Sequence, residues 1–335
     1  MRTTRTVLVT GATGFLGGAV CRSLARQGWR VTATGRNETA GRALILDGIP
    51  FRRVSLEHAA EAAGLCDGQD AIVHCAALSS PWGNRRDFQA ANVRATENIL
   101  RQAHAAHVER FVHISTSSIY FDFRHQYNLT EDSALPVRQV NAYADTKLAA
   151  ERLVLAAGDA GLPVVVLRPR AIFGPGDTTI FPRLLRAAKR GWLPIIDDGS
   201  NVADLTYIDN VAAAVACALD APAHCLGQTF NITDGQPVVL WEFIAVLLAS
   251  LGLPAPPRRL PVRAALGLAA LSEGIGRLRH REPALTRYGV GVLAFSQTFD
   301  ISKARTLLGY HPQISTDEGA RRLVEHLRGS PELAL

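Results

Sequence analysis

Short apolar, β-branched runs alternate with longer segments of helical periodicity along the first half of the chain. The runs are TVLVT (6–10), RVTATG (30–35), FRRVS (51–55), DAIVHCAA (70–77), RFVHIS (110–115) and PVVVLR (163–168). Between them, GFLGGAVCRSLARQG (14–28) and DFQAANVRATENILRQAHAAH (87–107) repeat their apolar residues at three- and four-residue spacing. Gly28 falls where a helix C-terminus favours a left-handed residue. Alternation of this kind predicts parallel βαβ units, and so an α/β fold with a Rossmann-like doubly wound parallel sheet.

Beyond residue 175 Pro and Gly punctuate the chain more often, and helices are expected at about 180–190, 209–221, 239–251 and 262–278. The expected organisation is a dinucleotide-binding domain over 1–175 and a smaller, mostly helical substrate lobe over 176–335. The two are interleaved, because DLTYIDN (204–210) reads as a strand returning to the sheet and about 204–231 belongs with it.

Composition sets limits on this picture. The chain has 335 residues, 47% hydrophobic and 20% charged, which is enough for a sizeable core without disulfide staples. Cys21, Cys66, Cys75, Cys217 and Cys225 are scattered and read as small buried residues in a reducing compartment. The opening MRTTRTVLVTGATG shows no signal-peptide h-region and no run of about 18 apolar residues occurs, so a cytoplasmic location is expected. Net charge is +6, with a local excess of arginine at 258, 259, 263, 277, 279, 281 and 287. That excess is either a solvated surface, an anion site or a membrane-facing patch. No nucleic-acid-binding signature occurs, and no nucleic-acid partner is expected. His74 reads as a core histidine. His104, His107 and His280 have no partners at ligand spacing, so no metal is expected.

Three devices carry chemistry. In TGATGFLG (10–17), Gly11, Gly14 and Gly17 lie between the first strand and a helix. They allow a tight turn, a close backbone approach to a pyrophosphate and close helix–strand packing. The second strand ends in ATGRN, so Arg36 stands where an NAD site usually has an acid. A guanidinium there suits a 2′-phosphate, which favours NADP(H) while leaving NAD(H) open; a solvated loop arginine is the plainer reading. In NAYADTKLAAERL (141–153), Tyr143 and Lys147 share a helix face. A phenol titrates near ~10, and an adjacent ammonium lowers that value. HISTSSIY (113–120) supplies hydroxyls at a strand end.

These motifs, with DAIVHCAA, NVRATENIL and LRPRAIFGPGD in the same order, resemble the extended short-chain dehydrogenase/reductases of the NAD-dependent epimerase/dehydratase superfamily. The segment from FGPGD to TYIDN, with EPALTR (282–287), is similar to the 3β-hydroxysteroid dehydrogenase/isomerase branch. The bacterial 2-alkyl-3-oxoalkanoate reductases are the nearest group within it. The resemblance implies Tyr143 as acid/base and Lys147 as its partner. Thr116 would bond the substrate oxygen, with Ser115 and Ser117 as fallbacks, and Asn92 would support the site from behind. It places Gly11, Thr13, Gly14, Phe15, Leu16, Gly17, Arg36, Leu56, Ala76, Ala77 and Pro169 on the cofactor. Ser55-Leu56 stands where many relatives have Asp-Leu.

The implied activity is an NADP(H)-dependent interconversion of a secondary alcohol and a ketone. The segments 238–253 and 260–276 are apolar enough for a small hydrophobic substrate, of the β-keto acid (2-alkyl-3-oxoalkanoate) or 3β-hydroxysteroid type that the resemblance implies, and flanking arginines suit an anionic end. Residues 260–281 are expected to form a lid, a homodimer surface or a peripheral membrane contact. The alternatives are a nucleotide-sugar epimerase/dehydratase that retains NAD, and a non-catalytic NAD(P)-binding sensor.

Overall fold

A computed structural model describes residues 4–177, 181–256, 258–279 and 281–329. Seven parallel strands form its main sheet. Their spatial order is Gln228–Ile232, Val164–Pro169, Arg110–Ile114, Ala71–His74, Thr6–Thr10, Arg30–Gly35 and Phe51–Arg53. The order reverses between Thr6–Thr10 and Ala71–His74, because successive strands are laid to one side of the first and then to the other. That reversal opens a crevice at the carboxyl ends of these two strands.

The strands are apolar on both faces because helices cover both. Val7, Leu8 and Val9 are each fully buried. Val7 and Val9 belong to one core cluster, with Val112, Val165 and Val215. Leu8 belongs to the other, with Ile72, Phe111 and Val166. This is the two-sided burial expected of parallel strands. The helix Phe15–Arg26 ends as the sequence predicts: Gly28 adopts φ 86° and its N–H bonds the Ala25 carbonyl at 3.0 Å.

The second core lies in the later part of the chain. Phe181, Leu185, Trp241, Ile244, Leu247 and Leu323 pack there, from the helices Phe181–Lys189, Leu240–Ser250 and Thr316–Arg328. The strand that returns to the main sheet is Gln228–Ile232, beside Val164–Pro169. DLTYIDN does otherwise. Its Thr206–Tyr207 pairs with Ile172–Phe173 in a separate two-stranded ladder. The reason is visible in the bonds of Thr206, whose hydroxyl donates to the carbonyls of Arg170 and Ile232. The segment is tied across the ends of two sheet strands and so cannot lie alongside them. The helix Ile208–Leu219 that follows packs back on the sheet.

One buried ion pair joins the elements that carry the site. Glu151, on the helix Ala142–Asp159, receives Arg168 Nε at 3.0 Å and Arg168 Nη2 at 2.5 Å. It also accepts the Ser115 hydroxyl at 2.6 Å. Arg168 Nη1 donates to the Tyr120 hydroxyl. Removing one partner from a buried pair leaves an uncompensated charge and costs about 3–5 kcal/mol, whereas an apolar pair of similar volume is often tolerated. Glu151→Ala should therefore lower unfolding free energy by about that amount in urea titrations, and Glu151→Leu with Arg168→Met should recover most of it. A loss below about 1 kcal/mol for the single variant would show that the pair is not structural.

Candidate active site

The crevice widens into a cavity of about 1230 Å³ that runs from the glycine turn to the later lobe. Its floor is the turn after the first strand. Gly11 has φ 66°, and a Cβ there would lie 2.6 Å from the Ala76 backbone. A Cβ on Gly17 would lie 2.2 Å from the Gly11 carbonyl. Gly14 is the N-cap of the helix Phe15–Arg26 and supplies no side-chain cap. The first-turn N–H groups therefore have no side-chain cap and face an open cradle at the glycine turn, which fits a pyrophosphate. Thr13, Phe15 and Leu16 line the same cradle.

Further along, Leu56, Ala76, Ala77 and Pro169 all line the cavity. Leu56 is held by Asn98, which donates to its carbonyl at 2.8 Å. Ser55 does not line the cavity; its N–H donates to Glu61 at 2.8 Å. Arg36 lies at the cavity's edge with its side chain 60% exposed, paired to Glu57 at 2.6 Å. Glu57 is an acid at the ribose end that the strand-end pattern did not reveal, because it arrives from the third strand's loop. Glu38, the nearest acid in sequence, pairs instead with Arg42 on its own helix.

The helix Ala142–Asp159 begins at Asn141, whose side chain caps the Ala144 N–H at 2.8 Å. This start sets the phase that stacks Tyr143, Lys147 and Glu151 at successive i+4 positions. Tyr143 is half-buried on the cavity wall beside the Thr116 and Ser79 hydroxyls. Burial pushes its phenol above the ordinary value, and those two hydroxyls pull it down. Lys147 is buried, and its Nζ donates to the Ile114 carbonyl at 2.5 Å. Burial lowers its ammonium to about 8, opposed by Glu151. The expectation that Lys147 lowers the Tyr143 pKa is not met in this arrangement. Its charge acts on Glu151 and Cys75, while the phenol answers to Thr116 and Ser79.

Among the strand-end hydroxyls, geometry separates the candidates. Ser115 lines the cavity but turns its hydroxyl to Glu151, and Ser117 is buried outside the lining. Thr116 lines the cavity beside Tyr143 and donates to Ser118 at 3.1 Å. Ser118 in turn bonds the Tyr288 hydroxyl at 2.8 Å. Ser118 is one of the strand-end hydroxyls of HISTSSIY, while Ser79 and Tyr288 went unnoticed in the sequence, since nothing local marks them.

Asn92 sits behind this wall in a π-helical turn, Gln89–Arg94. Its Oδ1 accepts the Leu78 N–H at 2.7 Å, and its Nδ2 donates to Thr146 at 3.0 Å. It thus pins the loop after Ala71–His74 to the helix of Tyr143. A one-residue bulge that redirects a side chain in this way is frequent at functional sites. His74 is a core residue between the Thr10 and Thr96 hydroxyls, 2.7 and 3.0 Å away, and burial holds it neutral, down to about 3. His280 lies outside the described residues.

The far wall is apolar: Leu184, Leu193, Leu260, Leu285, Val290 and Leu293 line it. Besides Arg36, the arginines that line the cavity are Arg170, Arg183, Arg186 and Arg190, and none of those at 258–287 do so. On the helix Val262–Arg279 the buried stripe is Ala265, Ala269, Glu273 and Gly276. Glu273 accepts the Arg287 N–H and Nε at 2.8 and 2.9 Å and draws Arg277 to 3.7 Å, so part of the basic excess is structural. Leu268 reaches the cavity, while Leu271, Ile275 and Leu278 are exposed. No helix of the described residues is long and apolar enough to cross a membrane.

A Rossmann-type crevice with a glycine cradle and a Tyr–Lys wall defines a nicotinamide-dinucleotide enzyme of the extended short-chain dehydrogenase/reductase type. Residues 7–233 match the NAD dependent epimerase/dehydratase family, and the chain belongs to it. The chain is 37% identical over 325 residues to a 2-alkyl-3-oxoalkanoate reductase from Stenotrophomonas maltophilia, covering 95% of this chain and 98% of that protein. It is 30% identical over 332 residues to a decarboxylating sterol-4-alpha-carboxylate 3-dehydrogenase from Schizosaccharomyces pombe, covering 94% and 95%. Among solved structures, a UDP-glucuronic acid 4-epimerase from Bacillus cereus in complex with NAD superposes with a TM-score of 0.76 at 25% identity, covering 97% of this chain and 99% of that one.

Proposed function

We propose that the protein is an NADP(H)-dependent oxidoreductase that interconverts a secondary alcohol and a ketone on a hydrophobic substrate of the 2-alkyl-3-oxo acid type. The observation that carries this reading is the pairing of Tyr143 and Thr116 on one wall of a cavity whose opposite wall is leucine and valine. Full-length similarity to a 2-alkyl-3-oxoalkanoate reductase supports the substrate class. When bound, the nicotinamide supplies the hydride in the reductive direction.

The residues of the chain do the rest. Thr116 and Tyr143 bond the carbonyl oxygen and orient it. Tyr143 gives that oxygen a proton as negative charge develops on it. Lys147 lies one turn along and would hold the ribose hydroxyls, its ammonium fixed against the Ile114 carbonyl and favoured from a distance by the charge of Glu151. The apolar wall excludes water from the reacting carbon. Arg36 at the cavity's edge supports NADP(H), and Glu57 beside it keeps NAD(H) within reach.

An epimerase with retained cofactor is the second reading. Arg183, Arg186 and Arg190 favour it, since they would suit a sugar diphosphate at the cavity mouth. The apolar far wall offers few partners for sugar hydroxyls and weighs against it. A non-catalytic sensor has no need of the Tyr143–Thr116 arrangement.

Tyr143→Phe should lower kcat about 10²–10⁴-fold with the fold intact, since general acid–base catalysis contributes that much. Near-normal turnover of a 2-alkyl-3-oxo acid by the variant would sink the assignment. Arg36→Asp should shift the ratio of kcat/KM for NADPH over NADH towards NADH. An unchanged ratio would show that Arg36 does not read the 2′-phosphate.

A further inference from the structure

Arg168 and Arg170 stand two residues apart and have opposite circumstances. Arg168 is fully paired in the core by Glu151 and Tyr120. Arg170 is just as buried, 3% exposed, yet lines the cavity with its Nε lacking any hydrogen-bond partner among the described residues. Asp204 acts on it through space. One Asp204 oxygen is committed to the Phe299 N–H at 2.8 Å, the Thr233 hydroxyl also bears on the carboxylate, and no ion pair with Arg170 forms among the described residues. A buried guanidinium without a bonded carboxylate is costly, and proteins keep such groups where a ligand completes them.

The position of Arg170 is fixed in advance. Its N–H bonds the Ile232 carbonyl at 3.1 Å, and its carbonyl accepts the Thr206 hydroxyl. Its guanidinium faces the Tyr288 hydroxyl. From there a ladder of oxygens leads back to the proton donor. Tyr288 bonds Ser118 at 2.8 Å, Ser118 bonds Thr116 at 3.1 Å, and Thr116 lies beside Tyr143. Tyr143, Thr116, Ser118, Tyr288 and Arg170 all line the same cavity. One end of the ladder handles a carbonyl oxygen, and the other presents a fork of N–H donors matched to a carboxylate.

We propose that Arg170, with Tyr288, is the carboxylate-binding subsite of this cavity, and that it selects substrates that carry a free carboxylate near the reacting carbonyl over their neutral counterparts. The inference rests on the ketoreductase reading above and adds what that reading lacks, a residue that recognises the acid. In a 3-oxo acid the two oxygen-bearing groups flank one carbon. The ladder offers a partner to each, while the 2-alkyl and longer chains extend to the leucine-rich wall. Arg183, Arg186 and Arg190 lie nearer the mouth, and Arg186 and Arg190 are exposed, so they are poorer candidates for a desolvated carboxylate contact.

The test compares an acid with its ester. Wild type and Arg170→Gln would be assayed for NADP+ reduction with 2-hexyl-3-hydroxydecanoate and with its methyl ester. A charge-assisted contact made in both ground and transition states should appear in KM. The acid-over-ester ratio of kcat/KM should fall about 10–100-fold in the variant, mainly through the KM of the acid. Arg170→Lys keeps the charge without the fork and should retain part of the ratio. It also carries the test if Arg170→Gln melts early. An unchanged ratio in a folded variant overturns the Arg170 assignment alone. If wild type oxidises neither compound, the ketoreductase reading itself fails and this inference with it.

Discussion

The site is organised around a carboxylate that never meets the substrate. Glu151 lies one turn beyond Lys147 and two beyond Tyr143 on a single helix. It binds Arg168 from the neighbouring sheet strand and Ser115 from the strand end that carries Thr116. Both members of the pair are nearly inaccessible to solvent, at 8% and 2% side-chain exposure. A buried pair of this kind is stable only when its remaining lone pairs and protons are satisfied, and here Ser115 and Tyr120 satisfy them. The consequence is geometric. Helix, strand and loop meet at one polar point, so the phenol of Tyr143 and the hydroxyl of Thr116 keep a fixed separation.

Above this point the cavity divides its tasks. The half over the sheet is built from backbone and small residues, because a pyrophosphate needs N–H groups at close range, and the glycine contacts leave no room for a Cβ. The half over the later lobe is built from leucine and valine, because its task is to take apolar surface out of water. Asn92 joins the two from behind, and the π turn that carries it is what lets one helix reach both the Leu78 loop and Thr146.

Much of this was legible in the sequence, and for physical reasons. Strand and helix periods, the glycine turn and the Tyr143–Lys147 spacing are local, so the order of residues encodes them directly. Four of the later helices fall within a few residues of their expected positions. What was not legible depends on residues that meet only in the fold. Tyr288 lies 170 positions from Ser118, and Glu57 lies 21 from Arg36. DLTYIDN has the composition of a sheet strand, but Thr206 is fastened to two carbonyls at the strand ends and joins a different ladder. The basic stretch 258–287 reads equally as a solvated surface, an anion site or a membrane-facing patch. In the structure, Glu273 takes up two of its arginines, and the cavity recruits others from the helix Phe181–Lys189 and its end.

The central claim is that Tyr143 serves a ketone reduced by hydride from a dissociable cofactor. The most direct measurement is isotope transfer. The protein would be incubated with NADPH deuterated at both C4 positions and a freshly prepared 2-alkyl-3-oxo acid, and the product examined by mass spectrometry. The account predicts one deuterium on the carbinol carbon of a 3-hydroxy acid, with one NADPH consumed per product. Unlabelled product, or conversion of a nucleotide sugar without net cofactor consumption, would contradict it.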